Sequence, residues 1–154
     1  MKKKLVLLVG ILFSIFCLFA TACSNEFAAQ EYNNDQKISQ GDRFAASVSV
    51  YNQINGGYSF TASKFDGRDT LWTKTLQSDI NRDLQISLSL SSGQAKIVHI
   101  DSEGNVTTLV ECTPDTSIDG SVTVNLSLKS GQNKLKIVGY DCEDVDLKLL
   151  FEEP

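Results

Sequence analysis

From Asp42 onward, apolar and polar residues alternate along the chain with a period of two. Val48 and Val50 alternate with Ser47 and Ser49, and Tyr58, Phe60 and Ala62 with Ser59 and Thr61. Leu84, Ile86, Leu88 and Leu90 alternate with Gln85, Ser87 and Ser89, as do Val122, Val124, Leu126 and Leu128 with Thr123, Asn125 and Ser127. A last run places Val145, Leu147, Leu149 and Phe151 on one side and Asp146 and Lys148 on the other. Successive side chains of a strand point to opposite faces, so each run predicts a strand with one buried face. Turn signals separate the runs at Asn55-Gly56-Gly57, Asp66-Gly67, Ser92-Gly93, Glu103-Gly104-Asn105, Asp119-Gly120 and Ser130-Gly131. About eight or nine strands at this spacing predict an all-β domain over residues 43–154, an antiparallel β-sandwich of jelly-roll or immunoglobulin-like type.

The first 22 residues follow a different pattern. Lys2, Lys3 and Lys4 precede an apolar run from Leu5 to Phe19, interrupted only at Ser14, and Ala20, Thr21 and Ala22 lead to Cys23. Basic residues, a short apolar stretch and small residues at the end are the features of an export signal, and the run is too short for a full membrane span. Ala20 to Cys23 resembles the lipobox of bacterial lipoproteins, with Ala20 where that family most often has Leu. The resemblance implies cleavage after Ala22, a diacylglyceryl group on Cys23, and a protein held by its lipid on the extracytoplasmic face of a membrane. Asn25 is not the aspartate associated with inner-membrane retention, so an outer membrane is open to it where the host has one. Cys17 follows the bulky Phe16 and reads as one more apolar signal residue.

Between Cys23 and Asp42 the chain is rich in Asn, Gln and acids and shows no sustained apolar period. It is expected to be a flexible tether holding the domain about 25 Å from the membrane. The competing reading is a short helix around Phe27 to Tyr32.

Charge narrows the partners. The whole chain carries 14 Lys plus Arg against 19 acids; without the three signal lysines the formal net charge moves from −5 to −8. An acidic domain is not expected to bind nucleic acid. Catalysis is not expected either, because the one histidine, His99, lies alone in an apolar strand away from any nucleophile or metal motif, and reads as a surface or edge residue. Asp141, Glu143, Asp144 and Asp146 lack the spacing and central glycine of an EF-hand and read as a solvated acidic hairpin, so neither a metal nor a cofactor is expected. Cys112 and Cys142 are an even pair in an exported domain, which predicts a disulfide; the alternative is two free, buried thiols.

Ser87 to Val98 and Asn125 to Val138 share a strand, a Ser-Gly-Gln turn and a returning Lys-Ile-Val strand. The second copy, extended to Phe151, resembles the closing strands of jelly-roll carbohydrate-binding modules of the galactose-binding-like type. That resemblance implies an aromatic platform for sugar rings, with Trp72 and Tyr140 as candidates, although a single Trp in a small sandwich also suits the core. Tyr51, Tyr58 and Phe60 read as core or edge aromatics. The expected function is therefore a lipid-anchored binding module for a glycan, a cell-wall component or a protein. The alternative is an architectural subunit or spacer of an envelope complex.

Overall fold

The computed structural model describes residues 25–54, 56–116 and 120–152. Two short helices, α1 (Asn25–Tyr32) and α2 (Asp35–Ser39), precede eight strands among the described residues. The strands are β1 (Arg43–Ser47), β2 (Val50–Ile54), β3 (Gly57–Leu76), β4 (Ile80–Ser89), β5 (Ser92–Ile100), β6 (Val106–Cys112), β7 (Val122–Leu128) and β8 (Gly131–Phe151). All pairings are antiparallel.

The two long central strands explain how these pairings make a sandwich. The first half of β3 and the second half of β8 pair with each other and are flanked by β2 on one side and by β4 and β7 on the other. We call this sheet I. The remaining halves also pair, flanked by β1 on one side and by β5 and β6 on the other, and form sheet II. Both strands cross between the sheets where their register shifts at Phe65/Gly67. Asp66-Gly67, expected as a turn, is thus a bulge inside one strand. Gly67 sits at φ 110°, and a Cβ there would lie 2.2 Å from the Arg43 carbonyl oxygen, so only glycine lets β1 approach this bend. The main core fills the space between the sheets and contains Phe60, Phe65, Trp72, Leu84, Ile86, Leu88, Ile97, Leu135, Ile137 and Leu147. The all-β sandwich read from the period of two is the fold observed.

The segment expected as a flexible tether is instead folded onto the outer face of sheet II. Asn34 caps α2, its Oδ1 accepting the Lys37 amide at 3.1 Å. Tyr32 and Ile38 are buried and pack with Val98, Ile100 and Val138 in a second apolar cluster. Three cations from the sheet fasten the same segment. Arg68 donates to Glu31 and to the Gly41 carbonyl; Lys136, only 1% exposed, donates to the Gln40 carbonyl at 2.5 Å and to Asp42 at 2.9 Å. Lys96 lies 4.5 Å from the centre of the Tyr32 ring and reaches Asn33, while the Tyr32 hydroxyl donates to Glu111 at 2.8 Å. Two apolar residues six positions apart make too sparse a pattern to reveal a helix, and the cations that hold it lie far along the chain. The short helix weighed at Phe27 to Tyr32 is the reading the backbone adopts, over Asn25–Tyr32.

Candidate functional site

The outward-facing residues of sheet I form a groove of about 380 Å³ that runs across the strands. They alternate with the core residues Phe60, Ile86, Leu88, Leu147 and Leu149, which fixes the face they occupy. One row is built by register alone: Asn52 pairs with Ser59, Ser59 with Lys148, and Lys148 with Ser87. A parallel row joins Gly57 to Leu150 and Leu150 to Gln85. Ser121 lines the groove near β7.

Gly57 matters for what it lacks. A side chain there would stand about 5 Å from that of Leu150; with hydrogen in its place, Leu150 remains 45% exposed as part of the floor. Leu150 and the methylenes of Lys148 supply carbon surface, and the Asn52 and Gln85 amides and the serine hydroxyls supply hydrogen-bonding groups beside it. Carboxylates flank this stripe. Gln85 donates to Glu152 at 2.7 Å, Asn125 donates to Asp83 at 2.6 Å, and the Lys148 ammonium is 3.8 Å from Asp146. At the β2 end Tyr58 accepts from Gln53 at 3.0 Å and lies 6.4 Å from Tyr51, whose hydroxyl donates to the Leu71 carbonyl.

The aromatic platform expected at Trp72 and Tyr140 is not formed. Trp72 is 9% exposed and packs in the main core with its ring 4.9 Å from that of Phe151. Tyr140 is half-buried against the second apolar cluster, on the face that carries the helices. The β3 register turns Trp72 inward and the β8 register turns Tyr140 toward α1, so no one ligand touches both.

His99, expected at the surface or an edge, is 5% exposed; its Nε2 lies 3.0 Å from Oδ1 of the fully buried Asn133. Asn133 in turn donates to the Lys129 and Gly131 carbonyls, so this pair closes the β7–β8 turn. The acidic run is dispersed among separate partners: Glu143 faces Lys64, Asp144 accepts from Ser91, and the Asp141 amide donates to Asp66. Among the described residues no group of three or more His, Cys, Asp or Glu is arranged to hold a metal ion.

Cys112 and Cys142 are both buried, and the expected disulfide between them is not formed. Each sulfur faces a carbonyl of its own, Thr113 for Cys112 at 3.7 Å and Gln94 for Cys142 at 3.0 Å. Burial pushes the Cys142 thiol up to about 12, which keeps it protonated and inert at neutral pH. Cys23 lies outside the described residues; among those described, no helix is long and apolar enough to cross a membrane.

No protein-family profile matches the chain, and no curated protein does. Several solved structures resemble it. A family 29 carbohydrate binding module complexed with mannohexaose gives a TM-score of 0.43 at 11% identity, over 72% of this chain and 78% of that one. A family 35 carbohydrate binding module from Paenibacillus barcinonensis gives 0.40 at 16%, over 76% and 96%. An exo-beta-1,3-galactanase from Phanerochaete chrysosporium, with galactose, gives 0.41 at 15%, over 73% of this chain and only 30% of the enzyme. All three TM-scores are below 0.5.

Of the groove residues, Ser59, Gln85, Ser87 and Lys148 are legible in the sequence only as the solvent side of an alternating pattern. Register brings these four into rows with Asn52, Gly57 and Leu150, and register is a property of paired strands that one strand's sequence does not carry. The readable signal was Gly57, which ends a turn and begins a strand on the outward side.

Proposed function

We propose that this protein is a lipid-anchored extracytoplasmic module that binds a glycan chain in the groove of sheet I. The observation that carries the reading is the carbon floor of Leu150 and Lys148, opened by Gly57 and bordered by the Asn52 and Gln85 amides and by serine hydroxyls. A pyranose presents CH patches on its faces and hydroxyls around its edge, and this surface meets both needs without charge on the ligand. The groove spans five strands, about 20 Å at the usual strand spacing, which suits an oligosaccharide better than a single sugar. The anchor is supported by the Ala20 to Cys23 motif and the export signal before it.

The test is a glycan array probed with residues 24–154 and with the Gly57→Val variant, whose side chain fills the floor while suiting a strand. Binding by the wild-type domain that falls at least tenfold in Gly57→Val, with unchanged melting, is the expected result. A signal no higher than background for every glycan would sink the reading.

One observation favours the second reading, an architectural subunit. Phe44, Val48, Val50 and Tyr51 are all at least 47% exposed along β1, β2 and the link between them, and among the described residues these strands pair only with β3 and leave a free edge. Such an edge suits a partner strand. Crosslinking from the edge to another envelope protein in cells, without glycan binding, would favour it.

A further inference from the structure

The groove and the N-terminal helices occupy opposite outer faces of the sandwich. Groove residues alternate with core residues on sheet I, and the cluster beneath α1 alternates with core residues on sheet II. Sheets pack about 10 Å apart and a helix is about 10 Å wide, so the groove floor stands roughly 20 Å from the helix axis.

The chain between anchor and domain is short. The described part of α1 starts at Asn25, and Glu31, eight positions after Cys23, is already fastened to Arg68 of sheet II. Beyond α1 there is no slack, because Glu31, Tyr32, Asn33, Gln40 and Asp42 are fastened to Arg68, Glu111, Lys96 and Lys136 of sheet II.

We propose that the helix-covered face of sheet II is the membrane-proximal face, seated on the lipid surface by the acyl chains at Cys23, and that the groove of sheet I faces away from the bilayer. This rests on the reading of Cys23 as lipidated. The occupant is a lipid surface because the chain outside the described residues ends, after processing, in a lipid two positions before Asn25. A tether of about 19 residues would leave orientation free; a strap pinned at both ends does not. The groove is then presented to ligands that approach from the medium or the wall, within one domain thickness of the membrane.

The test uses the full lipidated protein in vesicles of phosphatidylethanolamine and phosphatidylglycerol containing a headgroup-quencher lipid. A fluorophore is attached either at Gln30→Cys on α1 or at Ser89→Cys on the groove face, the two native thiols of the domain being buried. Quenching several-fold stronger at position 30 than at position 89 is expected. A flexible insert of about 15 residues between Ser24 and Asn25, adding about 20 Å of reach, should abolish the difference. Equal quenching in the unextended protein, or stronger quenching at position 89, would overturn the proposal. The anchor is scored separately by sedimentation with vesicles. If the wild type stays in the supernatant as Cys23→Ser does, the orientation falls with the anchor, while glycan binding by the soluble domain is unaffected.

Discussion

Lys136 shows how a single buried charge can fix a segment. Its ammonium is enclosed by the Gln40 carbonyl and the Asp42 carboxylate, so the cost of taking it out of water is offset only while the strap stays in place. The carboxylates on either side respond oppositely. Burial alone would raise Asp42, but hydrogen bonds from Thr70 and Lys136 outweigh it and hold the group below its usual range. Asp69 is raised, first by burial and then by the charge of Asp42. The Asp42 contribution is therefore present at neutral pH and is lost as pH falls from the usual carboxylate value through its lowered one. Asp69 works in reverse: its penalty grows as pH rises from the usual carboxylate value through its raised one. Thermal melting against pH should show Asp42→Asn less stable than wild type at neutral pH and converging with it in acid. Asp69→Asn should be more stable at neutral pH, with its advantage vanishing in acid. An Asp42→Asn curve parallel to wild type would contradict this assignment.

The two domain thiols obey the same logic of burial. Cys142 should not react with iodoacetamide in the native protein and should react fully once it is unfolded without reductant. Intact mass would report the alkyl groups added. Thiols that stay unmodified after unfolding would instead reveal a bridge.

At the scale of elements, α1 and α2 belong to the fold although their composition resembles a linker. Burying Ile38 contributes about 2 kcal/mol in this setting, and Ile38→Ala leaves a cavity among Val98, Ile100 and Val138. That substitution should cost about 2–5 kcal/mol in urea denaturation. A cost under about 0.5 kcal/mol, the level of an ordinary surface change, would mean the strap is not docked. The strands tell a complementary story. Their existence was legible because the alternation of Leu84 to Leu90, Val122 to Leu128 and Val145 to Phe151 is local information. The continuity of β3 and β8 through two sheets was not, since Asp66-Gly67 looks the same as a turn or as a bulge until a partner strand is beside it.

For the whole molecule, the consequence is a sandwich with two unlike faces. Sheet I carries the open groove, and sheet II is covered by the strap that leads back toward Cys23. Trp72, expected as a sugar platform, serves the layer between them, and Tyr140 serves the strap. Ser59, Ser87 and Lys148 are common residue types with nothing individual to mark them. Three different strands bring them side by side.

The sequence by itself determined what depends on neighbours along the chain: the alternating strands, the glycine-marked turns, the acidic charge, and the basic, apolar and small-residue succession that ends at Cys23. Only the tertiary structure decided which faces pair, that a polar segment is held by Arg68, Lys96 and Lys136, that His99, Cys112 and Cys142 are buried, and that a groove opens above Gly57. The reason is physical. Periodicity arises from backbone geometry within one element, whereas register, burial of isolated charges and the shape of a surface arise from contacts between residues far apart in the chain.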